Sequence, residues 1–114
     1  MSLNAIHINV MVYSTSSKKA FEYMKKLVDS TGEDIVRENK TLGEIDTDKK
    51  RYQAMFASDG ARGYRYTEVH VDRSLADTDV FHNVIIAKLV PFHYYAGKER
   101  DENYNWRDHV HYFN

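Results

Sequence analysis

At 114 residues the chain is long enough for one domain with a modest core. It carries 16 Lys+Arg against 17 Asp+Glu, a formal net charge of -1, so any nucleic-acid role must rest on a local basic patch. The absence of cysteine excludes disulfides, thiol catalysis and Cys-ligated zinc or iron–sulfur centres, and no apolar run approaches the roughly 20 residues that span a membrane.

Ile6 to Tyr13 alternates, with Ile6, Ile8, Val10 and Val12 on one face and His7, Asn9 and Met11 on the other, which predicts a strand. Ser14-Thr-Ser-Ser17 is a cluster of good helix caps. Lys18 to Asp29 then sets Ala20, Phe21, Met24, Leu27 and Val28 on one helical stripe, and Gly32 supplies a stop. Asp34–Arg37 and Thr41–Asp46 read as short strands, Arg51–Ala57 as a better one, with the last two forming a hairpin. Thr67–Val71 is a further strand, and Thr78–His82 a short helix capped by Ser74 or Asp77. Asn83–Val90 is almost wholly apolar and predicts a buried strand, with extension of the preceding helix as the other reading.

These elements predict a single small α/β domain with a mixed, mostly parallel sheet and few helices, α+β being the alternative. Residues 1–91 form the expected core. Residues 92–114 hold seven aromatics and three histidines, a density untypical of disorder, and are expected to pack on the core or on a partner. No basic segment followed by an apolar stretch opens the chain, so no signal peptide is expected and the expected location is cytoplasmic.

The segment richest in chemistry is Ser58-Asp-Gly-Ala-Arg-Gly-Tyr-Arg-Tyr-Thr-Glu-Val-His-Val-Asp72. Gly60 and Gly63 allow a tight turn, and Arg62 and Arg65 offer rigid donor forks for phosphate, with Tyr64 and Tyr66 able to stack on bases. The bland alternative is a solvated loop whose arginines pair with Asp59 or Glu68. The strand that follows ends on Asp72, where open α/β sheets place their ligands.

Strand, Ser/Lys loop and helix is also the layout of a P-loop. Ser17, Lys18 and Lys19 stand at the helix start, but Tyr13-Ser-Thr-Ser-Ser-Lys-Lys-Ala20 fits G-x-x-x-x-G-K-[ST] in neither frame. An ordinary capped helix with solvated lysines explains the same residues. The run Tyr52 to Asp72 resembles the middle of small phage-type P-loop proteins related to terminase ATPases. The resemblance covers roughly residues 6–90 in order of elements. It implies that Asp72 stands at the metal-organising acidic position, with Mg²⁺ as the cofactor. It implies a phage-encoded nucleotide- or DNA-associated protein of the host cytoplasm. Arg73 stands where that family has its catalytic Glu, and the first loop lacks its glycines, which argues against turnover.

His109-Val-His111 puts two imidazoles on one face of an extended segment, and His93 or Asp108 would complete a metal site, though spacing fixes no third ligand. Asp72 followed by Lys88 has a nuclease-like order, without an acid two residues before the lysine. No G-x-S-x-G elbow is present. The leading expectation is a non-catalytic or weakly catalytic protein that binds a nucleotide or DNA through Ser17, Lys18, Lys19, Arg62 and Arg65, with Mg²⁺ at Asp72. A protein-interaction module or homodimer using the aromatic segment is the second reading, and a Mg²⁺-dependent ATPase or nuclease the third.

Overall fold

The computed structural model describes residues 8–56, 65–90 and 103–114. The loop bearing Gly60, Arg62, Gly63 and Tyr64, and the segment bearing His93, lie outside the described residues. The described chain builds one six-stranded sheet in the order β2-β3-β4-β1-β5-β6. The strands are β1 (Ile8–Ser14), β2 (Ile35–Asn39), β3 (Glu44–Thr47), β4 (Lys50–Phe56), β5 (Glu68–Asp72) and β6 (Val110–Phe113). β1 pairs in parallel with β4 and β5, and β5 in parallel with β6. The β2–β3 and β3–β4 pairs are antiparallel. The expected mixed, mostly parallel α/β sheet is therefore the observed one.

Helix α1 (Ser17–Thr31) opens on Ser16, whose Oγ accepts from the Lys19 N–H at 3.1 Å, and closes on Gly32 at φ 74°. Its buried stripe, Ala20, Met24 and Val28, packs with Val10, Val12, Ile45, Tyr52 and Ala54 of the sheet. The i, i+4 spacing of those three residues is what fixes the helix on this face.

The opposite face buries Met11, Tyr13, Tyr66, Val69 and Val71 under Phe81 and Ile85. Here the strand predicted over 83–90 is corrected. Phe81–Ile85 forms a π-turn and Ile86–Lys88 continues as a 3₁₀ turn, leaving only an isolated bridge from Leu89 to Tyr66. An almost wholly apolar run of eight residues has no period to separate the two states, and the other reading, extension of the preceding helix, is the observed one over 83–88. The deciding force is the bare face of β1 and β5, which needs a cover. Phe81 and Ile85, four apart, provide it, and the Tyr66 hydroxyl donates to the Ile85 carbonyl beneath them.

Val110–Phe113, within the aromatic segment, is a sheet strand. Phe113 is buried and stacks on Tyr23 of α1 at 3.9 Å and 8°. Among the described residues no helix is long and apolar enough to cross a membrane.

Candidate functional site at the carboxyl ends of the parallel strands

The chain leaves β1 over one face through α1, and leaves β5 over the other face through residues 81–88. Connections that diverge to opposite faces open a crevice at the strands' carboxyl ends. A cleft of about 540 Å³ lies there, lined by Thr15, Lys19, Lys26, Asp72, Ser74 and Asn114, with Glu22, Tyr23 and Phe113 completing the wall. That volume is within the roughly 300–1,000 Å³ typical of small-molecule clefts.

Asp72 organises the cleft floor. Its Oδ2 accepts from the Ser14 hydroxyl at 3.0 Å and from the Asn114 Nδ2 at 3.2 Å. Its Oδ1 accepts from the Ser74 N–H at 3.1 Å and the Ser74 hydroxyl at 2.9 Å. Burial works against the charged form, but the donors of Ser74, Ser14 and Asn114 outweigh it and hold the carboxyl below its ordinary value. All four donors are neutral, so the carboxylate keeps its charge within the cleft. Lys19 and Lys26 share the helix face that overlooks it, with Glu22 and Tyr23 between them at i, i+3, i+4 and i+7.

The sequence-predicted site residues separate in space. Lys19 and Asp72 meet in this cleft. Ser17 and Lys18 are exposed on the first turn of α1 and do not line it. Arg65 is exposed and precedes β5, so it lies towards the amino ends of the parallel strands, where its carbonyl accepts from Asn9 Nδ2 at 3.0 Å. Arg62 lies outside the described residues. The β1–α1 connection is only Thr15 and Ser16, and the Ser16 hydroxyl already holds a helix N–H. Two residues cannot wrap a phosphate with backbone amides as a P-loop does.

Sequence reasoning passed over Ser14, Glu22, Tyr23, Lys26, Ser74, Phe113 and Asn114. Helical spacing links Lys19, Glu22, Tyr23 and Lys26, so that part of the signal was present. Phe113 and Asn114 carried none, because their place depends on β6 pairing with a strand about 40 residues earlier.

The same sheet face continues past Tyr23 into a polar cluster. The Tyr23 hydroxyl and His70 Nδ1 lie 2.9 Å apart, and His70 stacks on His111 at 4.7 Å. Glu68 bridges two imidazoles, through Oε1 to His109 Nδ1 at 2.8 Å and through Oε2 to His111 Nε2 at 2.9 Å. Burial, joined by the nearby His111, pushes the His70 imidazole down to about 4. It is therefore neutral at pH 7, hydrogen-bonded to the phenol rather than a cation. The bland alternative pairs the loop arginines with Asp59 or Glu68; Glu68 holds these histidines, and Asp59 and Arg62 lie outside the described residues. Among the described residues no group of three or more His, Asp and Glu is arranged to hold a metal ion. No family model, curated protein or solved structure matches this chain.

Proposed function

We propose that the protein binds a small phosphate-bearing ligand, a nucleotide being the first candidate, in the carboxyl-end cleft and does not turn it over. The observation that carries this reading is the pairing of Lys19 and Lys26 on one cleft wall at the point where the chain's connections diverge. Two flexible ammonium groups hold phosphate as point charges. Asp72 has its four acceptor positions filled by Ser14, Ser74 and Asn114. Direct Mg²⁺ ligation would displace one of them, so Mg²⁺ enters this reading as the ligand's own counter-ion. Arg73 follows Asp72 and lies over the Tyr112 ring at 5.7 Å, which leaves no acid at that position to activate a nucleophile.

Thermal unfolding with and without millimolar ATP and Mg²⁺ tests the reading. A ligand at about 100 times its Kd adds roughly 2.7 kcal/mol of stability. The expected rise of several degrees is lost in Lys19→Ala/Lys26→Ala and retained in Lys18→Ala, whose side chain is outside the cleft. A wild-type protein that shows no rise with ATP or with inorganic phosphate overturns it.

A second reading, an interaction module, has one observation in its favour. The β2–β3 hairpin at the sheet edge exposes Val36 (71 %) and Leu42 (63 %). This supports a contact through the edge hairpin; in the aromatic segment Phe113 is turned into the core, Tyr112 is exposed, and residues 92–102 lie outside the described residues. Sedimentation of wild type and Val36→Lys separates the readings, since only a self-associating edge changes mass with the substitution.

A further inference from the structure

α1 packs chiefly over β1 and β4 and reaches β5 and β6 on the same face through Tyr23, which meets His70 and Phe113. The residues that β5 presents there are Glu68, His70 and Asp72, and those of β6 are His111 and Phe113. β6 is a four-residue parallel strand paired with β5 alone among the described strands. Parallel pairing is the weaker kind per residue, and four residues make a short ladder. Yet β6 delivers two pieces of the cleft: Phe113, stacked on Tyr23, and Asn114, which donates to Asp72. Something besides backbone pairing must set its register.

We propose that Glu68 is a positioning residue for the ligand cleft. It sits at the start of β5, at the opposite end of that strand from Asp72, and does not line the cleft. Its two oxygens take one imidazole each from His109 and His111, one residue before β6 and one within it. His109 is further held by the Tyr104 ring stacked at 5.2 Å, and His111 by His70 at 4.7 Å. A slip of β6 by one residue would send Phe113 and His111 to the other face. The Glu68 bridge forbids that slip, because only one register presents both imidazoles to one carboxylate. The register so fixed carries Asn114 to Asp72 and closes the cleft wall. This rests on the carboxyl-end cleft being the ligand site, but the placement of β6 can be read without any ligand.

The test compares wild type, Glu68→Ala and Glu68→Gln. Glutamine keeps an acceptor for one imidazole and offers an N–H to the other, so it preserves the bridge without the charge. In Glu68→Ala the amides of 110–113 are expected to exchange about tenfold faster or more, while those of β1 and β4 hold their protection. The Asn114 side-chain amide resonance should move, and affinity for Mg²⁺-ATP should fall about fivefold or more. Glu68→Gln should stay within about twofold of wild type on every measure. Unchanged β6 protection and an unmoved Asn114 signal in Glu68→Ala overturn the proposal. So does a Glu68→Gln that behaves like alanine, since the effect then belongs to the charge alone. If wild type binds neither ATP nor phosphate, the ligand reading falls, and the exchange and Asn114 signals still decide the role of Glu68. Should Glu68→Ala fail to fold, His109→Ala/His111→Ala removes the same contacts from the β6 side and is read by the same signals.

Discussion

Two carboxylates in this molecule are held below their ordinary pKa by quite different surroundings. Asp46, on the face opposite α1, accepts from Arg51 Nε at 2.8 Å and Arg37 Nε at 2.9 Å. Burial disfavours its charge, and the hydrogen bonds and charges of Arg51 and Arg37 override that. Arg37 also grips Glu44 at 2.7 Å, so two acids and two cations neutralise one another across β2, β3 and β4. Asp72 has only hydroxyls, an amide and a backbone N–H. Its geometry is fixed and its charge is left over. The first arrangement is a strap across a sheet edge. The second is a fixed anion inside a cleft lined also by Lys19, Lys26 and Glu22.

The sharpest way to break this contrast is to delete each carboxylate in turn. Asp72→Ala leaves the fully buried Ser14 hydroxyl without its acceptor and should cost about 3 kcal/mol in urea unfolding. Asp46→Ala removes a carboxylate whose arginine partners are 43 % exposed and should cost about 1 kcal/mol. Equal losses would show that Asp72 is no more deeply embedded than the strap.

Acid titration sharpens the contrast next. The strap contains only arginines and carboxylates, which keep their charges down to the carboxylate range. The β5–β6 side contains His70, whose value falls from 6.5 unfolded to about 4 folded, chiefly through burial and then His111. A lowered histidine value means that the unfolded chain binds the proton first. Stability is therefore full above pH 6.5 and declines as pH drops towards 4, by about 2 kcal/mol. His70→Gln should flatten that window and leave the acid limb below it, where Asp72, Asp46, Glu44 and Glu33 lose their charges. A window of the same depth in His70→Gln would assign the loss elsewhere.

Salt gives the smallest effect. At 1 M the Debye length is about 3 Å, so the cost of Asp46→Ala should shrink by roughly half while that of Asp72→Ala holds. Urea unfolding at about 0.05 M and 1 M salt reads the difference.

Much of the scaffold was legible because two faces of the core follow simple periods. Val10 and Val12 alternate with Met11 and Tyr13, and Ala20, Met24 and Val28 repeat every four residues. The short apolar run at 83–90 reads equally as strand or as helix extension, because its state follows from the face it must cover. Asp72 was foreseen at the cleft by strand polarity, and Lys19 by its place at the helix start. Arg65 is a neighbour of Asp72 in sequence but not in space. A strand of five residues intervenes and carries it to the other end of the sheet. The polar face of β5 is readable as Glu68, His70 and Asp72 in alternation, but periodicity says only that a face is different, not that α1 reaches it through Tyr23 alone.

The wide separation of β5 and β6 along the chain has a kinetic consequence. Glu68 and His109 are 41 residues apart, and Ser14 and Asp72 are 58 apart. Helix α1 and the β2–β3–β4 hairpins close over short spans, whereas these contacts require large loops to be ordered first. These contacts are therefore expected to form after α1 and the hairpins in folding. A ligand seated in the cleft would act mainly as a brake on the unfolding rate, leaving the folding rate nearly untouched.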